Sequence, residues 1–191
     1  MPTAKKPSKD EDKKKVESPP AAAAPKKTAQ PLSLLRGMRD LLAPDLLYLR
    51  HIQNTIATIA AAYGFAEIET PVVEETALFA RGVGKATDIV EKEMYTWETP
   101  GGESISLRPE GTASVARAYV QHGMLNMPQP VKLWYTGPMF RYERPQAGRF
   151  RQFYQFGLEA FGDADPIIDA QLVLIAHLVA KELGIDSLVR I

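Results

Sequence analysis

The chain has 191 residues, 45% of them hydrophobic, and its 23 Lys+Arg balance 23 Asp+Glu, so it can bury a sizeable core within one domain. Having no cysteine, it is excluded from disulfide scaffolds, thiol catalysis and thiolate metal sites. His51, His122 and His177 lack ligand spacing, so no metal site is expected, and the longest apolar run (172–180) has nine residues, far short of the roughly 20 that span a bilayer.

Residues 1–30 hold eight Lys, four acidic residues and five Pro, with no aromatic. That composition buries too little apolar surface to offset chain entropy, so a disordered tail is expected there and the ordered part at 31–191. The tail lacks the apolar stretch of a secretory signal, and its acidic residues and absence of Arg argue against a transit peptide. The cytoplasm is the expected compartment. A Lys-rich tail can attract RNA phosphates, but a solvated tail without a partner is the plainer expectation.

After an extended lead-in (PLSLLRGMRD, 31–40), Leu49, Ile52, Ile56, Ile59 and Tyr63 step by three and four. That spacing draws one apolar stripe on a helix, with Pro44 in its first turn and Gly64 as its stop. Residues 65–73 read as a strand ending near Pro71. A short helix is expected at 74–81, and Gly82 and Gly84 open a loop that lacks the phosphate-loop pattern. Residues 94–98 and 104–108 flank Pro100-Gly101-Gly102 as a β-hairpin.

A second helix is expected at about 111–122. Two strand-like runs follow at 131–144 and 151–161, then a third helix at 166–183 and the start of a strand at 187–191. Helices among mainly hairpin-connected strands indicate an α+β fold with an antiparallel sheet flanked by helices. A strand beginning at the last residues leaves the sheet incomplete at the C-terminus.

The densest polar segment is 137–159. Alternate strand residues share a face, so Gly137, Met139, Arg141 and Glu143 point one way. Arg151, Phe153, Gln155, Gly157 and Glu159 likewise share one face of the second strand. A buried face carries that many charges only to serve a ligand; a solvent-exposed face with cross-strand ion pairs is the alternative. Arg108-Pro109-Glu110-Gly111-Thr112 forms a second cluster at a hairpin-to-helix junction, where Thr112 as cap and Glu110 near the N-terminus would also explain it.

The segment FRYERPQAGRFRQFYQFGLEAFG (140–162) resembles motif 2 of a class II aminoacyl-tRNA synthetase, and in detail the histidyl-tRNA synthetases. RGMRDLLAPD (36–45), GFAEIETPVVE (64–74, with the motif 1 proline) and SLRPEGTASVARA (106–118) agree in order and spacing. The resemblance covers about 36–191 and implies the N-terminal part of a class II catalytic domain. Motif 3, a histidine-specific loop and the anticodon-binding domain would lie after residue 191, so weak or absent catalysis is expected from this chain alone.

The resemblance implies histidine–tRNA ligase chemistry: histidine and ATP form histidyl-adenylate, and the histidyl group passes to tRNA(His). It assigns Arg141 to the α-phosphate and the substrate carboxylate, with Glu143 on the adenine amino group. Arg149 would reach the γ-phosphate and Phe153 would stack on adenine. Glu110, Gly111, Thr112 and Gln155 fall in the histidine pocket around the α-amino group, with Arg141 at the carboxylate end and Glu159 accepting a hydrogen bond from the imidazole. Mg2+ is expected to accompany ATP. A homodimer through the helix carrying Leu49 and Tyr63 is also implied. Two alternatives are a synthetase-like regulatory subunit of histidine biosynthesis, which needs no ATP-gripping residues, and a non-catalytic interaction fragment.

Overall fold

A computed structural model of the chain describes residues 32–82, 93–144 and 146–186. The expected tail at 1–30, the glycine loop after Gly82 and the strand start at 187–191 lie outside the described residues.

Helix α1 (Ala43–Ala62) starts with Pro44 in its first turn and ends before Gly64 at φ +76°, a left-handed conformation that glycine adopts without a Cβ penalty. Its stripe is used unevenly. Ile56 and Ala60 are buried, and Ile59 and Tyr63 pack beside them, whereas Leu47, Tyr48 and Ile52 nearer the N-terminus are exposed.

The expected strand at 65–73 divides into two short pieces, β1 (Ala66–Glu67) and β2 (Val73–Glu75), which enter different sheets. Pro71 has no N–H to offer a ladder, and the Thr70 carbonyl just before it accepts from Arg108 Nη1 at 2.9 Å instead of pairing with a strand. Helix α2 (Thr76–Gly82) follows directly. Strands β3 (Thr96–Glu98) and β4 (Ser104–Leu107) form the expected hairpin, and β4 also pairs with β2, giving an antiparallel sheet ordered β2-β4-β3.

Helix α3 (Thr112–Gln121) leads through a 3-10 turn (Met124–Asn126) into the long hairpin of β5 (Val131–Phe140) and β6 (Gln152–Phe161). Ten antiparallel pairs join these strands, from Val131 opposite Phe161 to Phe140 opposite Gln152. β1 adds on the far side of β5 as a parallel partner, so the sheet is mainly, though not wholly, antiparallel. Helix α4 (Pro166–Glu182) closes the described chain. It is capped by Asp165, whose carboxylate accepts from Ile167 N at 2.9 Å.

The register of β5 and β6 separates two faces. Trp134, Phe156 and Leu158 turn toward α1 and α4 and join Ile56, Ala60, Phe65, Ile175 and Val179 in one core. Leu133, Tyr135 and Met139 turn the other way and pack with Val115 and Tyr119 of α3. Fully burying a side chain of this size contributes roughly 1.5–3 kcal/mol, so both faces anchor the hairpin. Gln155 and Glu159 of β6 share the α3 face.

Candidate active site

On the α3 face the register places Phe153 opposite Met139, Gln155 opposite Gly137, Gly157 opposite Tyr135 and Glu159 opposite Leu133. Cross-strand partners in an antiparallel pair share a face, so Phe153, Gln155 and Glu159 form one row as the alternation predicts.

Arg141 and Glu143 lie just past the end of β5, not on it. The ladder extends one step, with Arg141 N donating to Arg151 O at 2.9 Å, and then gives way because Tyr142 N turns to Glu93 O. The face survives this exit. The Arg141 guanidinium sits 5.1 Å over the Phe153 ring, a cation–π arrangement, and its Nε donates to Pro109 O at 2.9 Å. Glu143 lies between two cations, 3.8 Å from Arg141 and 3.3 Å from Arg149. Arg149 stands in the exposed turn between the strands.

At the other end of the row, α3 begins beside β6. Thr112 does not cap the helix. Gly111 occupies the N-cap and Glu110 does the capping, its two carboxylate oxygens accepting from Thr112 N at 2.6 Å and Ala113 N at 3.0 Å. A longer side chain one residue earlier reaches the same orphan donors. Freed from capping, the Thr112 hydroxyl crosses to β6 and donates to Glu159 Oε1 at 2.7 Å.

The electrostatics of this end favour a ligand. Burial holds the Glu159 carboxyl above the ordinary carboxylate range, opposed by the Thr112 hydrogen bond and reinforced by the charge of Glu110. Gln155 Oε1 is buried with no hydrogen-bond partner. A buried acceptor left unpaired costs on the order of 1–3 kcal/mol, and a substrate donor would relieve that cost.

Three residues outside the expected set hold this face in place. Tyr135 rises between Gly111 and Gly157, where no Cβ blocks its ring. Burial pushes its hydroxyl up to about 12, against the opposing Thr112 hydrogen bond and with the charges of Glu159 and Glu110 adding to the rise. Arg108, 5% exposed, bonds to Pro138 and Thr70. Arg151 donates from Nε to Glu143 O at 3.1 Å and stacks 3.8 Å from the Tyr142 ring, while its backbone N–H donates to Gly37 O at 2.8 Å. The sequence sets Arg108 in the polar cluster before α3 and Arg151 on the polar face of the second strand without giving either a role, and it carries no signal for Tyr135.

A separate cleft of about 260 Å³ is lined by Arg39, Asp45, Tyr48, Gln152 and Tyr154. Gln152 and Tyr154 belong to the α1 face, so this cleft is not the polar row, although Phe153 borders both. Among the described residues no group of three His, Asp or Glu side chains is arranged to hold a metal. The acidic side chains of the row face helix N–H groups, Thr112 or guanidinium groups. That donor set does not fit a resident metal ion.

A family model described as histidyl-tRNA synthetase matches residues 37–190. The histidine–tRNA ligase of Halothermothrix orenii is 55% identical over 152 residues, covering 80% of this chain and 36% of that protein. The Desulforamulus reducens ligase is 53% identical over 153 residues with the same coverage. The chain thus spans about 36% of the length of these curated relatives. Apo Staphylococcus aureus histidyl-tRNA synthetase superposes with a TM-score of 0.68 at 40% identity, over 80% of this chain and 35% of that one. A Bacillus halodurans protein described as an ATP phosphoribosyltransferase regulatory subunit/histidyl-tRNA synthetase gives a TM-score of 0.70 at 24% identity, over 83% of this chain and 40% of that one, a likeness of fold alone. The class II synthetase-like α+β fold expected from the sequence is therefore present. With a family model matching residues 37–190 and relatives above half identity, the chain belongs to the histidyl-tRNA synthetase family.

Proposed function

We propose that the α3 face of the β5–β6 hairpin is the histidine-activating site of a histidine–tRNA ligase and that residues 31–191 are the N-terminal part of its catalytic domain. A histidine carboxylate oxygen attacks the α-phosphorus of ATP; the new O–P bond gives histidyl-adenylate as the bond to pyrophosphate breaks. The histidyl group then passes to tRNA(His). The observation that carries this reading is the order along one face: a carboxylate at one end, an unpaired amide oxygen in the middle and a guanidinium over an aromatic ring at the other.

In this reading Glu159 accepts the imidazole N–H, and a ligand without that donor would leave a buried carboxylate unpaired, which gives selectivity. Glu110, Gly111, Thr112 and Gln155 surround the α-amino group. Arg141 holds the substrate carboxylate beside the α-phosphate. Charge grows on the equatorial oxygens of the five-coordinate phosphorus, and a guanidinium already fixed by Pro109 O stabilises it without reorganising. Phe153 stacks on adenine, Glu143 accepts from its amino group and Arg149 reaches the γ-phosphate. Glu143 and Arg149 would have to separate to do so, since they contact each other at 3.3 Å. Any Mg2+ would arrive with the ATP phosphates, and no step here is routed through it.

A homodimer through α1 and a cytoplasmic location complete the proposal. The exposed Leu47, Tyr48 and Ile52 support the first. For the second, among the described residues no helix is long and apolar enough to cross a membrane. The regulatory-subunit alternative would leave Arg141, Glu143, Arg149 and Phe153 without a task.

The test is ATP–pyrophosphate exchange with and without histidine, on the chain and on Arg141→Ala. Losing one preorganised charge donor lowers such rates about 10²–10³-fold. Exchange that requires histidine, however slow, and vanishes in Arg141→Ala supports the proposal. Exchange indifferent to either overturns it.

A further inference from the structure

Arg108 is the most buried cation of the described chain, and the proposed chemistry gives it no contact with substrate. Its guanidinium is tied on two sides. Nε donates to Pro138 O at 3.0 Å, and Nη1 donates to Thr70 O at 2.9 Å and to Thr70 Oγ1 at 3.2 Å. Its main chain is tied as well: Arg108 N donates to Val72 O at 2.9 Å and Phe140 N donates to Arg108 O at 3.0 Å. Space for this group exists because residue 137 is glycine. A Cβ there would lie 3.5 Å from Arg108 Cζ and inside contact distance of Nη2.

The two ties to β5, at Pro138 and Phe140, bracket the strand end from which Arg141 emerges. The residue after Arg108 is Pro109, whose carbonyl accepts from Arg141 Nε at 2.9 Å. The next is Glu110, which caps α3. One clamped arginine therefore fixes the distance between the Pro109 carbonyl and the exit of β5, and that distance sets the aim of the Arg141 guanidinium. Burying a cation is costly unless its donors are paired. An apolar side chain would pin the sheet edge without that cost, but it could not bond two separate backbone carbonyls at fixed angles. Only a planar fork does this.

We propose that Arg108 is a positioning residue for Arg141, acting through its bonds to Pro138 and Thr70 and through the Pro109 carbonyl. The role of Arg141 toward ATP rests on the function proposed above; the coupling between the two arginines does not. Lysine at 108 keeps the charge and loses the fork.

The test follows the Arg141 Nε–H directly, in ¹⁵N–¹H spectra of arginine side chains recorded on this chain, wild type and Arg108→Lys. The backbone amides of Ile56 and Ile175, on the opposite face of the sheet, report whether the fold is kept. Tenfold or greater loss of protection from exchange at Arg141 Nε–H, with both amides unchanged, is the expected result. Unchanged protection at Arg141 Nε–H overturns the inference. Should Arg108→Lys not fold, Thr70→Val removes only the 3.2 Å bond, and a smaller loss in the same direction is expected, with no loss again decisive against it. Retained coupling alongside ATP–pyrophosphate exchange indifferent to histidine would count against the proposed function and leave this inference standing.

Discussion

Adding a single methyl group at position 157 tests how tightly the site is built. In Gly157→Ala the new Cβ would lie 2.5 Å from Tyr135 Cε1 and closer still to Cζ and the hydroxyl oxygen. Carbon atoms in favourable contact are about 3.5–4.0 Å apart, so the ring must retreat by about 1 Å or more. Retreat is blocked on the other side by Gly111, where a Cβ would lie 2.7 Å from the Tyr135 hydroxyl oxygen and nearer to two ring carbons. Overpacking of this kind costs about 1–3 kcal/mol, and a ring caught between two backbones belongs at the upper end. Urea denaturation followed by the fluorescence of buried Trp134 should show a lower midpoint with an unchanged slope. A cost of about 3 kcal/mol corresponds to a Tm lower by roughly 6–12 °C. Tyr135→Leu in the same chain should recover at least about 1 kcal/mol of the loss, a coupling only neighbours show. A Gly157→Ala chain within about 0.5 kcal/mol of wild type would refute the packing argument.

Other outcomes follow from the same geometry. Glu159→Gln should flatten part of the stability–pH profile. Burial raises the Glu159 pKa, so the folded chain holds this proton to higher pH than the unfolded chain, and stability falls as pH rises above 4.5 through the raised value; urea midpoints across that range should fall in wild type and fall less in the variant. Asp165→Ala removes the cap of α4 and should cost about 1 kcal/mol by the same assay. Trp134→Ala, emptying a site that is 4% exposed, should cost about 3–5 kcal/mol.

The legible parts of this fold were those decided by local periodicity. The three- and four-residue steps of α1, and the Asp165-Pro166 start and Gly184 end of α4, depend on neighbours close in sequence. The face shared by Phe153, Gln155 and Glu159 followed from strand alternation alone. What escaped depended on distant partners. Residues 65–73 split because β1 chose β5, some 65 residues away, whereas β2 chose β4. The capping role fell to Glu110 because the Thr112 hydroxyl was drawn to Glu159, 47 residues along the chain. Arg108 reads in sequence as part of a polar cluster at a hairpin-to-helix junction; only the fold brings Thr70 and Pro138 to its guanidinium. The roles proposed for the site residues came from the resemblance to a family; the geometry supplies the contacts among those side chains.

The proposed site requires one face to carry two separable subsites, and titration calorimetry of L-histidine and ATP into wild type and Glu159→Gln tests that most directly. Losing a charged hydrogen-bond partner of about 1.5–3 kcal/mol predicts histidine binding weakened about 10–100-fold, with ATP binding within about twofold of wild type. Equal losses for both ligands, or histidine binding untouched by the substitution, would contradict it.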